Sequence, residues 1–81
     1  MMNIKDFKLV KNIQRPDLCY AYEARKDGSK YSIFTMNSGK TFLASIEERR
    51  MDGRYYGEFN KHNCSSVDEA LNAINEQLKS N

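Results

Sequence analysis

The chain has 81 residues, which is one domain with one core. Its 13 basic and 11 acidic residues leave a net charge of +2, short of the one-sided excess that marks a dedicated DNA-binding domain. No apolar run approaches the roughly 20 residues that cross a bilayer.

The opening stretch MMNIKDFKLV sets lysines among its apolar residues and has no small-residue cleavage site, unlike a secretory signal. The expectation is a soluble, cytoplasmic protein. Residues 1–16 allow two readings. Asn3 can cap a short helix carrying Ile4, Phe7, Val10 and Ile13 on one side, which is the favoured form. Alternatively Phe7 and Leu9 belong to a strand. Pro16 ends the segment in either case, because it disfavours helical backbone at the residue before it.

Three turn signals follow: Asp27-Gly28, Ser38-Gly39 and Asp52-Gly53. Asp-Gly between strand-like runs is a strong signal for a two-residue hairpin, since both central residues of a type I′ turn need positive φ. The runs between them are LCYAYEARK (18–26), KYSIFTM (30–36), TFLASIEERR (41–50) and RYYGEFN (54–60). They predict a four-stranded antiparallel meander spanning residues 18–60. SVDEALNAINEQLKS then predicts a helix over 66–80. Ser66 and Glu69 have the spacing of a capping box, and Val67, Leu71, Ile74 and Leu78 recur at helical intervals. The fold class is therefore α+β, with the helix on one face of the sheet. Phe42, Ile46, Phe59, Ile33, Leu71 and Ile74 are the expected main core.

Two-residue turns fix a register. It places Ala24, Tyr31, Ile46 and Phe59 in one row of the core face, then Tyr22, Ile33 and Ala44, then Tyr20, Thr35 and Phe42. On the opposite, open face Arg49 stands across from Tyr56. Arg25, Lys30, Glu47 and Glu58 form the next row, followed by Glu23, Ser32, Ser45 and Asn60. Beyond them lie Ala21, Phe34, Leu43 and His62, then Cys19, Met36 and Thr41. Tyr55 is expected on the core side.

Two surfaces on the open face invite a partner. Phe34 and Leu43 are direct neighbours, with Ala21 and Met36 beside them, and an apolar cluster away from the helix needs cover. Either residues 1–14 fold back over it, or a protein partner or a second copy does. With Tyr56 and Arg49 as polar rim, these residues form the expected protein-binding surface. Arg25, Lys30, Arg49, Arg54 and Tyr56 form an alternative nucleic-acid surface, but Glu47 and Glu58 among them would offset the counterion-release gain of phosphate binding.

No catalytic set is expected. His62 and Cys64 lack the four spaced ligands of structural zinc, and no third residue orients them as a nucleophile pair. Cys19 and Cys64, on the outer strands of an open meander, are separated by three spacings of about 4.8 Å. That is beyond disulfide reach, about 4.4–6.8 Å between Cα atoms. Asn37-Ser38-Gly39-Lys40-Thr41 ends like a phosphate loop but lacks its first glycine and the following helix. Neither a metal nor a small-molecule cofactor is implied. The expected function is a small non-enzymatic binding protein, a regulator, inhibitor or adaptor of the kind also found in phage and mobile elements. The alternative is a nucleic-acid-binding module.

Overall fold

A computed structural model describes residues 1–11, 20–36 and 39–79. The fold is α+β, as the sequence predicts, but the sheet has five strands rather than four. They run in order β1 (Lys8–Lys11), β2 (Tyr20–Lys26), β3 (Ser29–Met36), β4 (Thr41–Arg49) and β5 (Tyr55–Cys64), each antiparallel to its neighbours. The helix α1 (Val67–Lys79) covers one face.

The N-terminal segment takes the strand alternative, after one 3₁₀ turn over Ile4–Asp6. Asn3 does cap that turn: its side chain accepts from the Lys5 N–H, while the Asp6 carboxylate accepts from the Asn3 N–H at 2.9 Å. Propensity alone does not carry a helix further, because short helices are marginal without packing. As a strand, the segment sends Phe7 into the core and pairs its backbone with β2. Ile13, Pro16, Cys19 and Ser38 lie outside the described residues.

The registers of β2–β3 and β3–β4 are those the turns predict, with Ala24↔Tyr31 and Tyr31↔Ile46 opposite each other. Asp27 (φ 52°) and Gly28 (φ 82°) both have positive φ, the signature of the two-residue turn.

The β4–β5 hairpin departs from prediction. Its loop is three residues, Met51 to Gly53. The Gly53 N–H donates to the Arg50 carbonyl at 2.9 Å, the Arg50 N–H to the Arg54 carbonyl at 2.8 Å, and Gly53 has φ 84°. That is a turn closed by a left-handed glycine, which makes a bulge. The pairing near the turn therefore slips by one residue. Arg49 faces Tyr55 rather than Tyr56, and Glu47 faces Gly57 rather than Glu58. Glu58 is the extra residue, and the predicted Ile46↔Phe59 pair resumes beyond it. A second irregularity lies between Ala44↔Lys61 and Phe42↔Cys64, where Asn63 has φ 60°. Through it β5 runs on to Cys64 instead of ending near Asn60.

The core lies between α1 and the sheet. Ile33, Ile46 and Ile74 are buried as expected, while Phe42, Phe59 and Leu71 are partly buried against them. Met2, Phe7, Cys64 and Ala70 join the core without having been predicted. Ser66 caps α1 by accepting from the Glu69 N–H at 3.1 Å. The return arm of the capping box goes to Ser65, whose N–H and hydroxyl both donate to the Glu69 carboxylate. Those bonds, the backbone N–H first, hold the Glu69 carboxyl below the usual carboxylate range.

Candidate functional site

The open face is built by cross-strand pairing. Val10, Ala21, Phe34 and Leu43 stand directly opposite one another on four adjacent strands. Three of them were expected there. Val10 is the addition, because β1 extends the row instead of lying over it. Ile4 and Phe7 do not cover the row: Ile4 is exposed on its turn and Phe7 is buried in the core. Met36 is exposed at the end of β3, on the same face as Phe34. Val10 is 46% exposed, while Phe34, Leu43 and Ala21 are half-buried.

The next row is Lys8, Glu23, Ser32, Ser45 and Asn60, spanning all five strands. Its two serines are buried beneath longer neighbours, and among the described residues the Ser32 hydroxyl has no hydrogen-bond partner.

The row beyond it is Arg25, Lys30, Glu47 and Gly57. The register slip changes what stands here. Tyr55 is on the open face, not the core side. Arg25 and Lys30 both lie over its ring, 5.7 and 5.6 Å from the centroid. Glu23 holds both cations, at 3.3 Å from Arg25 and 3.7 Å from Lys30. Tyr56, expected on the open face beside Arg49, instead shares a row with Glu48 on the other side. Its hydroxyl donates to Asp52 at 3.0 Å, and Arg50 lies 5.2 Å from its ring centroid. The Arg54 N–H also donates to Asp52, at 2.9 Å. These two bonds, that from Arg54 first, hold the Asp52 carboxyl below its ordinary range. Arg54 itself is exposed at the start of β5.

The predicted site residues therefore separate. Phe34, Leu43, Met36 and Ala21 share the apolar end of the open face. Arg25, Lys30 and Arg49 share its cationic end, now with Tyr55. Arg54 and Tyr56 belong to the hairpin tip. Removing Glu58 from the open face leaves Glu23 and Glu47 as the acidic residues of the rows described, against Lys8, Arg25, Lys30 and Arg49. Sequence reasoning missed Val10 and Tyr55, the first because β1 was not the favoured reading and the second because of the slip.

Cys64 is fully buried, and burial pushes its thiol above the ordinary range. His62 is exposed two residues away. Among the described residues no cluster of three or more His, Cys, Asp or Glu is placed to hold a metal. Among them, too, no helix is long and apolar enough to cross a membrane.

Comparison with known proteins gives no relative: no family model matches the chain, and no curated protein or solved structure matches it.

Proposed function

We propose that this protein is a small non-enzymatic protein-binding module, a regulator, inhibitor or adaptor that acts through the open face of its sheet. One observation carries the reading: Val10, Ala21, Phe34 and Leu43 form an unbroken apolar row across four strands on the face that α1 does not cover. Contiguous apolar surface of this kind, rimmed by charge, is what protein interfaces use at their centre. Arg49 and the Arg25–Tyr55–Lys30 group supply the rim, and Tyr and Arg are the residue types enriched where binding energy concentrates.

A photoreactive residue at Leu43 tests this in extract from the native host. It should trap a protein partner or a second copy. The same residue at Lys5, on the exposed 3₁₀ turn, should not. Equal trapping at both positions would count against the reading.

A second reading, nucleic-acid binding, is favoured by Tyr55 on the open face between Arg25 and Lys30. An aromatic ring among cations is the ordinary platform for an unstacked base. Glu23 and Glu47 weigh against it. Titration with single-stranded and duplex oligonucleotides at two salt concentrations decides it, since phosphate binding weakens steeply as salt rises.

A further inference from the structure

The helix α1 packs chiefly over β4, with β3 and β5 to either side. The segment running into β1 occupies one flank of the helix. Met2 and Phe7 are buried there, and Asn75 of α1 holds the Met2 backbone at both its polar groups. The Met2 N–H donates to Asn75 Oδ1 at 2.8 Å, and Asn75 Nδ2 donates to the Met2 carbonyl at 3.0 Å. Two apolar side chains and one side-chain amide thus seat residues 2–7 against the helix side of the sheet.

The opposite flank, towards β5, is a groove of 340 Å3 floored by Phe59 and Ala73. Asn72 and Gln77 line it, offering the amide chemistry that Asn75 offers Met2. Past Phe59 and Gln77 the groove continues into a 240 Å3 depression reaching Leu78. Its outer wall, β5, is the edge of the sheet, so among the described residues half of that strand's backbone N–H and C=O groups face no neighbouring strand. The bulge residue Glu58 and the left-handed Asn63 bracket the regular stretch between them. Bulges protect an edge from long strand-on-strand pairing and leave here a length that suits a short peptide.

Charge identifies the occupant. Glu48, Glu58, Glu69 and Glu76 line the two depressions, against Lys61 and the nearby Lys79, which is 3.6 Å from Glu76. The groove is acidic on a chain whose net charge is +2. We infer that it binds an extended peptide segment of another protein, with an apolar side chain between basic ones. The segment adds to the edge of β5, its apolar side chain rests on Phe59 and Ala73, and its cations meet the glutamates. This is strand addition with side-chain specificity, and it uses the face opposite the one proposed above.

The test titrates isotope-labelled protein with the peptide Lys-Arg-Leu-Lys-Arg, blocked at both ends, and follows amide resonances. Shifts should concentrate on residues 58–62 and on the side-chain amides of Asn72 and Gln77, and should shrink with added salt. A glycine-centred peptide of the same charge and a leucine-centred peptide of glutamates should each bind at least about tenfold more weakly. Reversing two exposed charges, Glu58→Lys with Glu76→Lys, should cause a similar loss without unfolding the protein, and amide spectra of the free variant check its fold. No binding at millimolar peptide would overturn the inference. So would equal binding of the glycine peptide, or shifts centred on the open face. Concentration-dependent shifts at β5 without peptide would assign the edge to a second copy instead, and overturn it too.

Discussion

Asn75 sits beside Ile74 on α1, one position off the apolar stripe, and is nevertheless buried. Its amide satisfies two backbone groups of a residue 73 positions away, so it joins the two ends of the described chain. Asn75→Ala would leave the Met2 N–H and carbonyl buried without partners, a loss of about 1–3 kcal/mol. Asn75→Asp keeps an acceptor for the N–H but sets a carboxylate against the Met2 carbonyl, and should cost more. Denaturation midpoints of both variants check this, together with amide exchange in β1, which should quicken. A wild-type midpoint for Asn75→Ala would mean that the clamp contributes nothing. Ser32 is the converse case, a buried hydroxyl with no partner among the described residues. Ser32→Ala removes a polar group that stays desolvated, so stability should hold or rise. A clear drop in the midpoint would reveal a bond that the hydroxyl makes in solution.

Two identical dipeptides, Asp27-Gly28 and Asp52-Gly53, make different turns, and the difference decides which tyrosine reaches the open face. At the first, both residues take positive φ. At the second, only Gly53 does, and Asp52 turns its carboxylate to the Arg54 N–H and the Tyr56 hydroxyl. The sequence motif is compatible with both turns, because each needs a glycine that tolerates left-handed backbone. The choice depends on contacts made after the turn, which no local pattern encodes. Four of the five strands and the helix were legible from alternation and capping, and so were the registers of β2–β3 and β3–β4 and the pairing of Ile46 with Phe59. The slip at Glu47 was not, and Tyr55 and Tyr56 exchanged places with it. Gly53→Ala should destabilise by about 1 kcal/mol through its φ alone, since a Cβ there meets nothing closer than Arg49 Nη2 at 3.9 Å. The Asp52 carboxylate adds a pH signature. Its pKa is depressed in the fold, so its contribution is present above the usual carboxylate range and is lost as pH falls through the folded value. The stability gap between wild type and Asp52→Ala should therefore narrow on acidification. A gap that is constant from neutral pH to below the carboxylate range would show that these two bonds do not tune the turn.

At the scale of the whole molecule, α1 and the N-terminal segment occupy one face of the sheet, and the apolar row lies on the other. Composition alone cannot show this division, because a net charge of +2 averages an acidic groove and a more basic open face. Phe34 and Leu43 were legible as a pair because the β3–β4 register holds. What β1 does was not, since its four residues fit the favoured helix as well as the strand alternative in their local pattern, and only the burial of Phe7 in the core selects the strand. The consequence for Phe34 and Leu43 is specific. Full burial of such side chains is worth about 1.5–3 kcal/mol each, but both are only half-buried here. Replacing both with Ser should therefore cost well under that sum. Ile33→Ala, at a fully buried site in the same strand, should cost about 2–5 kcal/mol. Denaturation curves of the two variants should separate in that order. The trapping at Leu43 proposed above should have its counterpart in light scattering or partner binding, with association lost in the Ser pair and kept in any Ile33→Ala protein that remains folded. If the Ser pair unfolds as readily as Ile33→Ala, the apolar row belongs to the interior of the monomer and the binding surface must be sought elsewhere.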